Sequence, residues 1–224
     1  MIGITIASDN YRSLAWEAAR RFKKFTGLNC LIVDTVLPRD EIFKLKLDVW
    51  RNTNQTVVLF DSDLWFIDYC NLEKFDKKPD FFAVLDPGVV CDQSAPVIDS
   101  KRHKLDLDRY FNSGFLIFNP EHHYLFRQAM DYYNDSSISV RDFGEQTYLN
   151  MAVQRTGHPF KQLDAKYNYA PFAEFHKLKQ TRLMEPVAIH AMGYSGTCTE
   201  DIPDGKEAAL KYYMTKYEGG LDLV

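Results

Sequence analysis

Apolar residues along this chain fall into short β-prone runs separated by stretches with helical spacing. Ile2-Gly3-Ile4-Thr5-Ile6-Ala7 predicts a first strand, followed at Ser8-Asp9-Asn10 by a turn rich in capping residues. Between Tyr11 and Phe25, the residues Leu14, Trp16, Ala18, Ala19 and Phe22 recur at helical intervals, and Gly27 predicts the stop. Cys30-Leu31-Ile32-Val33 predicts a second strand, and Pro38 opens a helix carrying Ile42, Leu45, Leu47, Val49 and Trp50. Thr56-Val57-Val58-Leu59-Phe60 has no charge and predicts a strand buried on both faces. Further strands are expected at 81–85, 115–118 and 187–190, and helices at 124–133, 143–155 and 205–217. Residues 88–109 are polar, contain proline and predict a long irregular loop. The strand-helix alternation of the first 65 residues predicts an α/β fold with a parallel sheet covered by helices on both faces.

Composition narrows the classes open to such a fold. A chain of 224 residues, 46% hydrophobic and 26% charged, builds a sizeable core and does not read as disordered. With 27 basic and 31 acidic residues the net charge is −4, which argues against a nucleic-acid partner. A phosphate-bearing substrate would need its positive charge supplied locally, by a metal, Lys or Arg. Cys30, Cys70, Cys91 and Cys198 are far apart with no C-x-x-C, so neither a zinc knuckle nor a disulfide framework is expected. There is no run of 18 apolar residues, and Met1 to Ala7 lacks the features of a secretory leader. A soluble protein in a reducing, cytoplasmic setting is the expectation, and a domain of a longer protein is compatible with it.

The chemistry concentrates at Asp61-Ser62-Asp63, where a buried strand delivers two carboxylates one residue apart. Two such groups repel each other and are costly to desolvate, so a hard divalent cation is a natural partner for them. A pair of solvated loop aspartates, or acids near a helix N-terminus, is the simpler alternative. No G-x-G-x-x-G follows the first strand and no G-x-x-x-x-G-K-[ST] is present, which removes the dinucleotide and P-loop readings. Other polar residues gather at predicted strand ends: Ser8, Asn10 and Tyr11; Asp86; Asn112 and Ser113; Asp142, Glu145 and Gln146; His190.

Taken in order from Ile4 to about Gly193, these residues resemble the glycogenin-like family 8 retaining glycosyltransferases, which have the GT-A fold. Ile4-Thr5-Ile6-Ala7-Ser8-Asp9-Asn10-Tyr11 resembles the first strand and turn whose tyrosine stacks on the nucleotide base. Lys46-Leu47-Asp48-Val49-Trp50 is similar to the helix whose lysine reaches the diphosphate or the sugar. Asp61-Ser62-Asp63 resembles the metal-binding D-x-D, and Asp86-Pro87-Gly88 a sugar-contacting motif. Phe111-Asn112-Ser113-Gly114-Phe115 with Asn119-Pro120 is similar to the family's F-N-S-G strand. Gly144-Glu145-Gln146 with Leu149-Asn150 resembles G-D-Q-x-x-L-N, Glu replacing Asp, and Tyr167-Asn168 matches a further Y-N. Ile189-His190 followed by Gly193 is similar to the H-x-x-G whose histidine is the third protein ligand of the metal.

The resemblance implies a single Rossmann-like GT-A domain over 1–224, its sheet mixed but mostly parallel. It implies a nucleotide-binding half at about 1–88 and a sugar and acceptor half at about 89–224. It implies transfer of a hexose, glucose or galactose, from a UDP-sugar donor to a glycan, a protein or a lipid-linked sugar. Asp61, Asp63 and His190 would hold Mn2+, with Mg2+ the alternative; a histidine nitrogen favours manganese. Ala7, Ser8, Asn10, Tyr11 and Ser62 would bind the nucleotide. Asp86, Asn112, Ser113, Gly114 and Asp142 would bind the sugar, with Glu145, Gln146 and Lys46 catalytic. One departure concerns the leaving group: family members often carry Lys-Pro-Trp after H-x-x-G. Here the stretch is Tyr194-Ser195-Gly196-Thr197-Cys198, so the metal and Lys46 suffice, or Arg141, Lys166 or Lys206 substitutes.

Simpler roles stand beside these. Trp16, Phe22, Trp50 and Phe60 are expected in the core, and Lys46 taken alone reads as a solvated helix lysine. Asp142 alone reads as a helix cap, and His190 alone as a hydrogen-bonded histidine. His103, His122, His123, His158 and His176 are expected at surface or cap positions. Two competing functions remain: a sugar-nucleotide-binding module without turnover, and a haloacid-dehalogenase-type phosphatase, whose D-x-D belongs on the first strand rather than the third.

Overall fold

The computed structural model describes residues 1–8, 11–90, 92–141, 144–171, 185–192 and 205–218. The strands are β1 (Ile2–Ala7), β2 (Cys30–Asp34), β3 (Val57–Phe60), β4 (Leu64–Phe66), β5 (Phe81–Leu85), β6 (Phe111–Phe118), β7 (Phe160–Gln162) and β8 (Ala188–His190). The α-helices are α1 (Arg12–Thr26), α2 (Arg39–Asp48), α3 (Ala95–His103), α4 (His123–Asn134), α5 (Gln146–Arg155) and α6 (Lys206–Glu218). Six strands form one sheet in the order β2-β1-β3-β6-β5-β7, while β4 and β8 form a separate antiparallel pair. The neighbours β1–β2, β1–β3 and β5–β7 run parallel; β6 runs antiparallel to both β3 and β5. The mixed, mostly parallel sheet expected from the sequence is therefore present.

Helices cover both faces because each central strand is apolar on both sides. Along β3, Val58 and Phe60 pack into one core cluster with Phe22 of α1, Phe66 of β4 and Leu210 of α6. Val57 and Leu59, one residue out of phase, pack into the other with Leu125, Phe126 and Leu149 of α4 and α5. Gly3 of β1 is required by this packing: a Cβ there would run into the Phe22 ring. Gly27 closes α1 in the left-handed region at φ 75°, as the sequence predicts, its N–H donating to the Lys23 carbonyl.

Several expectations are corrected. Residues 88–109 are not irregular, since α3 lies inside them, with a 3-10 turn at Pro87–Val90 before it. Ser94 caps α3 by accepting from the Val97 N–H, and Pro96 sits in the first turn, where a missing N–H costs nothing. Trp16 is not a core residue but 58% exposed. The buried stripe of α1 runs through Leu14, Ala15, Ala18, Ala19, Phe22 and Phe25, and position 16 falls about 200° around the helix from position 14. Trp50 is half-buried and packs on His123 with ring centroids 4.7 Å apart. The strand expected at 115–118 begins earlier, at Phe111. The three-residue strands β4 and β7 were not legible from periodicity.

Candidate active site

The C-terminal ends of β1, β3 and β5 lie at one edge of the sheet, the usual ligand-binding edge of an open α/β fold. Because β6 runs antiparallel between β3 and β5, its N-terminal residues Asn112 and Ser113 arrive at that same edge. A cavity of about 810 Å3 opens there, with Tyr11 and Leu37 among its lining at one part, and Asp61, Asp86, Glu145 and His190 at others.

Asp61 directly follows β3, its N–H donating to the Gly114 carbonyl at 3.0 Å. The chain then turns, with the Leu64 N–H donating to the Asp61 carbonyl, and enters β4. Pairing of β4 with β8 sets Leu64 directly opposite His190, and the Ala191 N–H extends the ladder to the Asp63 carbonyl. Ligand atoms of Asp61, Asp63 and His190 consequently lie within 4.8 Å of one another, an O,O,N donor set. His190 Nε2 is 3.2 Å from Asp63 Oδ1 and 3.6 Å from Asp61 Oδ2. The other ring nitrogen, Nδ1, lies 2.8 Å from Asn168 Oδ1, an acceptor, so Nδ1–H donates there and Nε2 faces the carboxylates. Two hard oxygen donors and one imidazole nitrogen oriented by a neighbour fit a divalent cation.

A chain of side-chain amides supports this cluster. Asn168 donates to Asn112 Oδ1 at 2.9 Å, and Asn112 donates to Asp86 Oδ2 and Gln146 Oε1, both at 3.0 Å. Gln146 donates to Asp86 Oδ2 at 2.8 Å and accepts from the Ser113 N–H at 2.9 Å. Asp86 also accepts from the Gly88 N–H. Gly114 has a steric reason to be glycine, because a Cβ there would run into the His190 ring and Asn112 Oδ1.

Two lysines neutralise the acids. Lys46 of α2 donates to Asp61 Oδ1 at 2.7 Å and pairs with Glu145 Oε1 at 2.6 Å, and the Ser113 hydroxyl also donates to Glu145 Oε1. Glu145 stands at the N-terminus of α5, where the helix dipole favours an anion. Burial opposes the Lys46 charge, but Asp61 and Glu145 outweigh it and hold the ammonium above its ordinary pKa. On the far side, Lys206 of α6 donates to Asp63 Oδ2 and lies 5.3 Å from the centroid of the Tyr11 ring. Burial raises the pKa of Asp63, but His190 and Lys206 override it and hold that carboxyl below the usual range. Burial likewise opposes the Lys206 charge, and Asp63 keeps its pKa raised.

Most of the residues singled out in the sequence converge here. Ser8, Tyr11, Lys46, Asp61, Ser62, Asp63, Asp86, Asn112, Ser113, Glu145, Gln146 and His190 all line the cavity. Ala7 does not line it; it is fully buried and its carbonyl accepts from the Thr35 N–H. Gly114 sits behind His190 rather than in the lining. Asn10, Asp142 and the stretch from Gly193 to Cys198 lie outside the described residues. Of the three cations considered as substitutes for the missing lysine, Lys206 lines the cavity, whereas Arg141 and Lys166 are not among its lining. In the sequence Asn168 is only part of a matched motif, and its hydrogen bond to His190 gives it a positioning role no spacing reveals. Leu37 and Phe43 in the lining carry no sequence signal beyond their hydrophobicity. His122, expected at a surface or cap position, does act as a cap, its Nδ1 accepting from the Asn119 N–H, but it is fully buried.

No protein-family profile matches the chain, and no curated protein does. Solved structures do. The galactosyltransferase LgtC in complex with donor and acceptor sugar analogs superposes with a TM-score of 0.66 at 15% identity, covering 100% of this chain and 97% of that one. The fold is that of GT-A glycosyltransferases. An active-site mutant of LgtC gives 0.63 at 15% identity, over 98% of this chain and 96% of that one. The WbbM bifunctional glycosyltransferase, in its apo structure, gives 0.66 at 13% identity over 96% of this chain and 51% of that one. Within the described residues, no helix is long and apolar enough to cross a membrane.

Proposed function

We propose that this chain is a metal-dependent retaining glycosyltransferase that moves a hexose, galactose or glucose, from a UDP-sugar to an acceptor hydroxyl. The observation that carries the reading is the convergence of Asp61, Asp63 and His190 at the ligand-binding edge of a GT-A fold. The galactosyltransferase among the structural neighbours supports galactose as the first donor to try. The acceptor is a hydroxyl of a glycan, a protein or a lipid-linked sugar.

In this reading Asp61, Asp63 and His190 hold the cation, which when bound supplies Lewis-acid stabilisation of the departing diphosphate. Tyr11, 37% exposed at the cavity wall, offers a ring face to the nucleotide base beside Leu37, with Ser8 and Ser62 nearby. Asp86, Asn112 and Ser113 form a hydrogen-bonding wall for sugar hydroxyls, and Gly114 lets His190 sit close behind it. Retention requires a group that attacks or stabilises the β face of an oxocarbenium-like centre. Glu145, paired with Lys46, fills that role, with Gln146 beside it bound to Asp86.

The test is release of UDP from UDP-galactose and UDP-glucose with and without Mn2+, compared between wild type and Asp63→Ala. Mn2+-dependent turnover lost in the variant, with its circular dichroism unchanged, supports the assignment. Equal turnover in both proteins, or hydrolysis of a simple phosphomonoester without sugar-nucleotide turnover, overturns it. Mn2+-dependent UDP binding without any turnover would make the chain a binding module instead.

A further inference from the structure

Lys206 occupies an unusual position for a cation in a metal site. Its Nζ is bonded to Asp63 Oδ2, while the other oxygen of the same carboxylate faces His190 Nε2 at 3.2 Å. The Lys206 side chain is 25% exposed, against 9% for Lys46, so it has open space to move into. Its backbone does not share that freedom, because Ala209, Leu210, Tyr213 and Met214 of α6 pack in the core with Ile189 of β8. The lysine is thus a partly exposed head on a buried base. It bridges two parts of the cavity, with Asp63 on one side and the Tyr11 ring 5.3 Å away on the other.

A divalent cation held by Asp61, Asp63 and His190 repels an ammonium on the same carboxylate. The Lys206–Asp63 pair would be weakened, and the open space beside Lys206 lies toward the Tyr11 ring. A nucleotide diphosphate with its base on Tyr11 and its phosphates at the cation would bring phosphate oxygens into that space. They accept the charge that Asp63 gives up. We propose that Lys206 is an exchange cation: it neutralises Asp63 before the metal arrives and passes to the donor diphosphate when metal and nucleotide load. This rests on the function proposed above and adds a coupling between the two ligands. The metal alone binds against the Lys206–Asp63 pair, and the nucleotide relieves that opposition, so each strengthens the other by the same factor.

The test is calorimetric titration of wild type, Lys206→Gln and Lys206→Arg, first with MnCl2 alone and then with UDP at saturating Mn2+. Removing the competing ammonium in Lys206→Gln is expected to tighten Mn2+ binding by roughly three- to tenfold. The same variant is expected to weaken UDP binding by about tenfold, the loss of one charge-assisted hydrogen bond. Lys206→Arg, which keeps the charge, stays near wild type on both. Opposite shifts for the two ligands distinguish exchange from a structural role, in which Lys206→Gln weakens both together. Wild-type binding of both ligands, with Lys206→Gln changing neither or moving both the same way, overturns the exchange alone. A wild type that binds neither Mn2+ nor UDP overturns the functional reading and the exchange with it.

Discussion

The two lysines of the site neutralise neighbouring carboxylates in different ways. Lys46 is sealed between Asp61 and Glu145, and its side chain and that of Glu145 are 9% and 3% exposed. Among the described residues Lys206 pairs with one carboxylate, that of Asp63, with a quarter of its side chain in solvent. A cation shared by two buried anions is part of the framework, because removing it strands charge in a poor solvent. A cation on one carboxylate at a rim is exchangeable, since water or another ion can replace it. The same residue type thus stands sealed on one side of the Asp61, Asp63 and His190 cluster and partly exposed on the other.

The strongest way to break this contrast is Lys46→Met. It leaves Glu145 buried without its ammonium and is expected to cost about 3–5 kcal/mol in urea-induced unfolding. Saturating Mn2+ acts in the opposite direction, adding about 2.7 kcal/mol at a hundredfold excess over its Kd, seen as a rise in Tm. That rise should vanish in Asp63→Ala. Next comes the wall behind the ligands. Gly114→Ala forces a methyl against the His190 ring and is expected to cost about 1–3 kcal/mol and to lower Mn2+ affinity. Asn168→Ala frees His190 Nδ1 and should weaken Mn2+ binding roughly 10- to 100-fold with a much smaller effect on unfolding. The smallest effect is that of Lys206→Gln on stability, expected below about 1 kcal/mol. A loss as large as that of Lys46→Met would show that the two lysines are equivalent after all.

Much of the site was legible because its parts sit at strand ends, where a change from apolar to polar residues is visible in the chain. Asp61 and Asp63 follow an uncharged run, and His190 closes another. Lys46 was harder to read. On the helix alone it resembles any solvated lysine, and only Asp61 and Glu145 across the gap make it buried. Asn168 gave a motif without a role, since its partner His190 is 22 residues away and on another element. The helix α3 was lost because Ser94-Ala95-Pro96 reads as a break, although serine and proline are also what begins a helix.

By itself the sequence determined the alternation of strands and helices, the two-sided burial of β3 and the delivery of two carboxylates at its end. These follow from short-range periodicity, which the backbone geometry of each element imposes locally. The tertiary structure alone decided that β6 runs backwards between β3 and β5, bringing Asn112 and Ser113 to the edge that Asp61 occupies. It also decided that Trp16 faces outward, and that Lys206 rather than Arg141 or Lys166 stands at the site. Lys206 lies 143 residues beyond Asp63, and what joins them is the packing of α6 against β8 and the core. Such a contact depends on which buried faces find each other, and local spacing carries no record of that choice.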